Sequence, residues 1–211
     1  MLDLHNCDCM EYMAKCKDNE FDLAIVDPPY GIFKVDATGF KNKEHQKLNN
    51  DNRPTTEYFD ELYRVSKNQI IWGAQYFTEN LKDFSQLIIW NKKTGNNYFA
   101  DGEAAYCSIP GTLRMFNHQW CGAFKASERG NKNIHPTQKP VALYKWLLQK
   151  YAKKGERILD THLGSGSIGI ACHDMEYDLV GCELDKDYFD AAEKRIQMHI
   201  KNNTVKEDIF F

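Results

Sequence analysis

Nothing in the 211-residue chain approaches the roughly 18 consecutive apolar residues of a membrane span, which excludes an integral membrane protein. The N-terminus, MLDLHNCDCMEYM, lacks both a basic region and a long apolar segment, so it does not read as a secretory signal. The seven cysteines lack zinc spacing: Cys7-Asp8-Cys9 is too tight for a ligand pair and no second CxxC follows. They read as free thiols in a reducing cytoplasm, with no metal expected. Internal repeats and low-complexity tracts are absent, and so is any excess of positive charge, the net value being −3. What is present suits one full-sized core: 42% hydrophobic, 27% charged and 13% aromatic residues. The length fits one domain spanning residues 1–211.

The average charge hides a local imbalance. Residues 113–139 carry Arg114, Lys125, Arg129, Lys132 and Lys139 against Glu128 alone, a net +4. A second stretch holds Lys34, Lys41, Lys43, Lys47 and Arg53 against Asp36, Glu44 and Asp51, a net +2. Solvated surface accounts for either run by default; a polyanion-binding face is the alternative.

Strand and helix signals alternate along most of the chain. Strands are predicted at 2–6, 21–26, 68–73, 86–90, 103–109, 157–163 and 178–184, and helices at 10–15, 55–65 (with Thr55 or Thr56 as its cap), 75–81, 140–152, 167–175 and 186–199. The run FDLAIV at 21–26, stopped by Pro28-Pro29, suits a strand buried on both faces. Such alternation implies an α/β fold with helices on both faces of a mainly parallel sheet. Residues 31–54 and 91–135 stand apart as long polar stretches, which in a compact domain are usually functional.

Two motifs carry chemistry. The first, Asp160-Thr161-His162-Leu163-Gly164-Ser165-Gly166-Ser167, lies between a strand and a helix, where glycines let the backbone approach a ligand and the helix start offers free N–H groups. Glu183 follows about twenty residues on, at the end of the next strand, where an acid can hold both hydroxyls of a ribose. The second is Asp27-Pro28-Pro29-Tyr30, directly after the apolar strand. Consecutive prolines remove two donors and stiffen the backbone, leaving the Asp27 carboxylate and the Pro28 carbonyl as acceptors beside an aromatic face. Alone, each motif has a plain structural explanation, a tight turn or a strand stopped by prolines. Together they suggest alkylation of a base amino group. Its lone pair is delocalised into the ring, and two acceptors aimed at its hydrogens favour a pyramidal, nucleophilic nitrogen. Tyr30 could stack on the base and align it with a methyl donor, S-adenosyl-L-methionine, whose ribose would meet Glu183.

The sequence resembles the amino-methylating DNA methyltransferases of the DPPY type, in the permuted order that places the catalytic motif before the cofactor motif. The resemblance rests on Asn6-Cys7-Asp8-Cys9-Met10, residues 27–31, Tyr58-Phe59-Asp60-Glu61-Leu62, residues 68–77, 135–140 and 160–166, is similar to phage and prophage members, and spans about residues 2–199. It implies a Rossmann-like, circularly permuted methyltransferase fold, and methyl transfer to adenine in DNA, most simply duplex DNA. It also implies Asp8 near the cofactor adenosine, Glu183 on the ribose, and His135, Thr137 and Lys139 of HPTQKP near the methionine end. Arg114, Lys125, Arg129 and Lys132 are expected to hold DNA phosphates, with residues 91–135 as a short inserted contact segment. Some relatives pair as dimers, which leaves a homodimer open.

Two departures stand out. Thr161-His162 replaces the usual Pro-Phe, so His162 either packs less tightly against the cofactor or adds a hydrogen bond. The 91–135 segment is short for a target-reading region. Cytosine is the main rival substrate, since it presents the same amidine-like amino group, with RNA behind it. A DNA-binding partner without turnover is the rival from another class.

Overall fold

The computed structural model describes residues 1–32, 51–95, 100–121, 124–130 and 132–207. Lys34, Lys41, Lys43 and Lys47 of the second basic stretch lie outside them. Strands β1 (Leu2–Asn6), β2 (Phe21–Val26), β3 (Ser66–Trp72), β4 (Gln86–Asn91), β5 (Gly102–Cys107), β6 (Arg114–Asn117), β9 (Arg157–Asp160) and β10 (Asp178–Glu183) form one sheet in the order β1-β10-β9-β2-β3-β5-β4-β6. A separate hairpin joins β7 (Trp120–Cys121) to β8 (Phe124–Lys125). Every neighbouring pair in the sheet is parallel except the two that involve β5, which runs against both β3 and β4. The C-terminal ends of the parallel strands and the N-terminal start of β5 therefore share one edge.

Alternation along the strands divides the core between two faces. Leu23 and Ile25 of β2 face α3 (Val141–Tyr151), α4 (Ser167–Asp174) and Ala192 of α5 (Lys186–Glu207). Ala24 and Val26 face α1 (Cys9–Met13) and α2 (Thr56–Val65), where Tyr58, Phe59, Leu62 and Val65 form a buried stripe. This two-sided burial is why β2 reads as a continuous apolar run.

Three local expectations change. The 75–81 helix is only a 3-10 turn at Ala74–Tyr76, because Gly73 enters it in the left-handed region (φ 75°) and Phe77 leaves it to pack in the core. Thr55 occupies the N-cap of α2, but its hydroxyl makes no capping bond. Much of the 91–135 stretch is sheet: it supplies β5, β6 and the β7–β8 hairpin. The strand predicted at 103–109 is β5; β6 to β8 are too short to show periodicity.

The core sets a stability expectation. Leu147 of α3 is fully buried, so Leu147→Ala should lower unfolding free energy in urea by about 2–5 kcal/mol. Met198→Ala on exposed α5 surface should change it by no more than about 0.5 kcal/mol.

Candidate active site

Asp27 emerges from the end of β2 largely buried, with both carboxylate oxygens engaged. Tyr30 Oη donates to Oδ1 at 2.5 Å, and Lys139 Nζ donates to Oδ2. Tyr30 is held by its surroundings: it stacks on Tyr76 (centroids 4.9 Å apart, planes 24° off parallel) and meets Phe77 edge-on. Gly73 makes this possible, since a Cβ there would stand 2.3 Å from Tyr30 Cε1. The short 3-10 turn thus builds the aromatic wall behind the proline motif.

The glycine turn lies further along the same edge. Gly164 and Gly166 both have positive φ (52° and 70°), and Gly166 packs so closely on Ala192 and Ile196 of α5 that a Cβ would clash. Glu183, ending β10, accepts from Gly164 N at 2.8 Å and from Asp185 N at 3.0 Å. Asp160, ending β9, is 2% exposed and accepts from His162 N at 3.0 Å. Burial pushes the Asp160 carboxyl up to about 8, with the charges of Asp27 and Glu183 adding to the effect. Burial also raises Glu183. The turn therefore gathers two buried carboxyls, with Arg195 Nη1 donating to Ser165 O at 2.7 Å beside them.

HPTQKP ties the two motifs together. His135 lies over Gly164, and its Nδ1 accepts from Thr137 N (3.3 Å) and contacts Thr137 Oγ1 (3.0 Å). Burial and the Lys139 charge push His135 down to about 4, so the ring is neutral at pH 7. Four residues on, Lys139 directs its backbone carbonyl to Ser167 Oγ (2.7 Å) and its ammonium to Asp27. Lys139, expected near the methionine end, contacts Asp27 of the proline motif. His162 stands beside Tyr58 in a chain of hydroxyls, Tyr58 Oη to Thr161 Oγ1 (2.7 Å) to His162 Nδ1 (2.9 Å). Burial holds His162 near 4 as well. Asp8 caps α1 by accepting from Met10 N. Ser165 is buried, its hydroxyl 3.1 Å from Ser167 Oγ.

Of the basic residues, Arg114 is exposed on edge strand β6. Lys125 is drawn to Asn133 Oδ1 (2.6 Å) and the Trp120 ring, while Arg129 Nε donates to Lys125 O. Arg129 and Lys132 are exposed. The sequence reading missed Glu128, whose carboxylate accepts from Arg195 of α5 and from Val141 N at the start of α3, docking the basic loop on the helices. It also missed Glu103 and Lys92: Lys139 Nζ lies 3.0 Å from Glu103 Oε2, and Lys92 Nζ pairs with Oε1. An acid inside the otherwise uncharged run GEAAYC was the available signal, since such a charge needs a partner. Among the described residues no group of three or more His, Cys, Asp or Glu is arranged to hold a metal, and no helix is long and apolar enough to cross a membrane.

A sequence profile of the N6_N4_Mtase family, described as DNA methylase, matches residues 21–194. The chain belongs to this DNA methylase family. The methylase is 25% identical to the type II methyltransferase M.HpaI of Haemophilus parainfluenzae, across 87% of this chain and 70% of that protein. It is 26% identical to M2.DpnII of Streptococcus pneumoniae, across 95% and 91%. Two solved structures share its fold: the M1.HpyAVI–SAM complex (TM-score 0.59, 24% identity, 92% of this chain and 100% of that one) and the PvuII cytosine-N4-specific methyltransferase (TM-score 0.59, 12% identity, 94% and 90%).

The raised Asp160 carboxyl makes the stability of the methylase depend on pH. Folded, it titrates near 8; unfolded, near the ordinary 3.8, so between these values the folded state holds a proton that the unfolded chain releases. Stability from this group is present at low pH and is lost as pH rises through about 8. Asp160→Asn should therefore melt progressively higher than wild type from about pH 5 to about pH 8, the gap levelling beyond. A gap independent of pH would contradict the assignment.

Proposed function

We propose that this methylase transfers a methyl group from S-adenosyl-L-methionine to the exocyclic amino group of adenine in duplex DNA. The observation that carries the reading is the spacing of chemistry along one sheet edge. A buried acceptor beside an aromatic wall and an acceptor-rich glycine turn are joined by the single segment HPTQKP. The turn fits the cofactor on its own terms. Buried Asp160 and Glu183 both have raised carboxyl pKa values, and the cofactor brings two positive charges and two ribose hydroxyls. Glu183 would hold the ribose, Asp8 and His162 the adenosine side, and Gly164, Ser165, Gly166, Asp160, His135 and Thr137 the remainder. When bound, the cofactor supplies an electrophilic methyl group on a sulfonium.

The residues of the chain do the rest. A paired adenine must first be flipped out of the stack, at a cost of a few kcal/mol. The Asp27 carboxylate and the Pro28 carbonyl accept the two amino hydrogens, and Pro29 stiffens their alignment. Tyr30 stacks on the base against the Tyr76–Phe77 wall. Each carboxylate oxygen of Asp27 retains a second lone pair beyond those used by Tyr30 and Lys139. Asp rather than Ser at the first position of the motif supports adenine over cytosine, and the PvuII enzyme marks cytosine as the alternative. Digesting treated DNA and weighing the modified nucleoside tests the choice, and N4-methylcytosine would overturn it.

Asp27→Ala should lower methyl transfer by about two to three decades, at about 2–4 kcal/mol for a lost charge-assisted bond in the transition state, while cofactor affinity by calorimetry stays near wild type. Glu183→Ala should show the reverse order, with cofactor affinity falling first.

Arg114, Lys125, Arg129 and Lys132 would hold the flanking phosphates. Removing Arg129 or Lys132 should weaken binding alike on unrelated sequences and flatten the log–log salt dependence by roughly 0.9 per residue. Unchanged slopes would put the DNA on another face.

A further inference from the structure

Behind Asp27 the structure holds a row of alternating charges that the glycine turn and the proline motif do not require. Lys139 is 3% exposed, bridges Asp27 and Glu103, and lies 5.5 Å from the Trp72 ring centre. Glu103, 20% exposed, pairs in turn with Lys92, also 20% exposed and set over the Trp90 ring at 4.8 Å. Glu103 Oε2 is buried without an aligned hydrogen bond, only the Lys139 charge beside it. A lone Lys139 would already have neutralised Asp27. A second acid and a second lysine are superfluous for that purpose, and burying further charge is costly unless it serves something.

We infer that Glu103 and Lys92 are positioning residues that set how much of the Lys139 charge reaches Asp27, and so how readily Asp27 takes the proton released in methyl transfer. The inference rests on the adenine-amine reading above. In that reaction the nitrogen lone pair forms the new N–C bond as the S–C bond of the donor breaks, its electron pair remaining on sulfur. The nitrogen is left with one hydrogen too many, and the departing proton forms an O–H bond on the Asp27 carboxylate. A carboxylate fully committed to one ammonium is a poor proton acceptor. Glu103 draws part of that ammonium's field to itself, and Lys92 limits how much Glu103 takes. Lys139 itself stays charged, because the paired carboxylates raise its pKa despite burial.

The balance is visible in the two acids. Burial raises Asp27 and Lys139 opposes it without cancelling it, whereas Lys139 and Lys92 together outweigh burial at Glu103 and lower it. The other groups facing Asp27 are Tyr30 on its own loop, Tyr58 of α2, Tyr144 of α3 and Asp160 of β9. The tyrosines are raised well above 10 by burial and stay neutral, and Asp160, which feels the charges of Asp27 and Lys139, is present unchanged in both variants below.

Two variants push Asp27 in opposite directions. Glu103→Gln removes a negative neighbour and should lower the Asp27 midpoint by about one pH unit; Lys92→Met removes a positive one and should raise it by a smaller amount. The first readout needs no activity: the 13C carboxyl signal of Asp27, assigned by its loss in Asp27→Asn, is titrated in the full protein. The second is the acidic limb of kcat/KM for methyl transfer, which should move down in Glu103→Gln and up in Lys92→Met. The titration of the DNA itself is common to every variant and cancels. If Glu103→Gln does not fold, Lys92→Met at the outer end of the row carries the test alone. Midpoints that stay at the wild-type value, or move in the same direction, overturn the inference. Wild-type protein that transfers no methyl group while the midpoints move as stated would instead overturn the functional reading and leave the charge row standing.

Discussion

A carboxylate that is to stay ionised at the dry end of a parallel strand needs a positive charge beside it, and most of the site follows from that constraint. Leaving a buried ion unpaired costs several kcal/mol, against roughly 0.5–1.5 kcal/mol for an ordinary hydrogen bond. The counter-charge of Asp27 comes from residue 139, far along the chain, and the segment that delivers it is pinned on both sides. Lys139 O is fixed by Ser167 at the start of α4, and His135 rests on Gly164. The proline motif and the glycine turn are consequently parts of one electrostatic and steric unit.

The charges of the outer surface follow a different logic. Glu128, the single acid among the basic residues of 113–139, is not a flaw in a basic patch. Its carboxylate is spent on Arg195 and on the Val141 amide at the start of α3, so it docks the loop and leaves Arg129 exposed beside it. Net charge along the sequence missed this because it counts a structural acid as if it faced the same solvent as its neighbours.

The parts of the fold legible in the sequence were those where one physical signal dominated. FDLAIV could only be a strand buried on both faces, and the glycine turn between Asp160 and Glu183 combined a backbone requirement with a fixed distance to the next strand end. Other parts depended on contacts between distant residues. Helix spacing at 75–81 is real, yet Gly73 and the need to seat Tyr30 against Tyr76 override it. Glu103 lay hidden because a reader expects site residues at the ends of strands, and in β5 the direction of the chain is reversed. The family resemblance supplied the neighbourhood of Lys139, while only coordinates could show which way its side chain points.

The reversal of β5 also shapes what can change around the site without disturbing it. Strands β4 and β5 form an antiparallel pair in unbroken register from Gln86–Cys107 to Asn91–Gly102, so the chain leaves and rejoins the sheet on the edge where the chemistry sits. Closing a flexible connection grows more costly only slowly, by about 0.6 kcal/mol for each doubling of its length. Insertions after Asn91 would thus be tolerated by the pairing while emerging at the sheet edge that carries Asp27 and the glycine turn. This chain, brief as it is between those strands, has the geometry on which longer target-reading loops could be grafted.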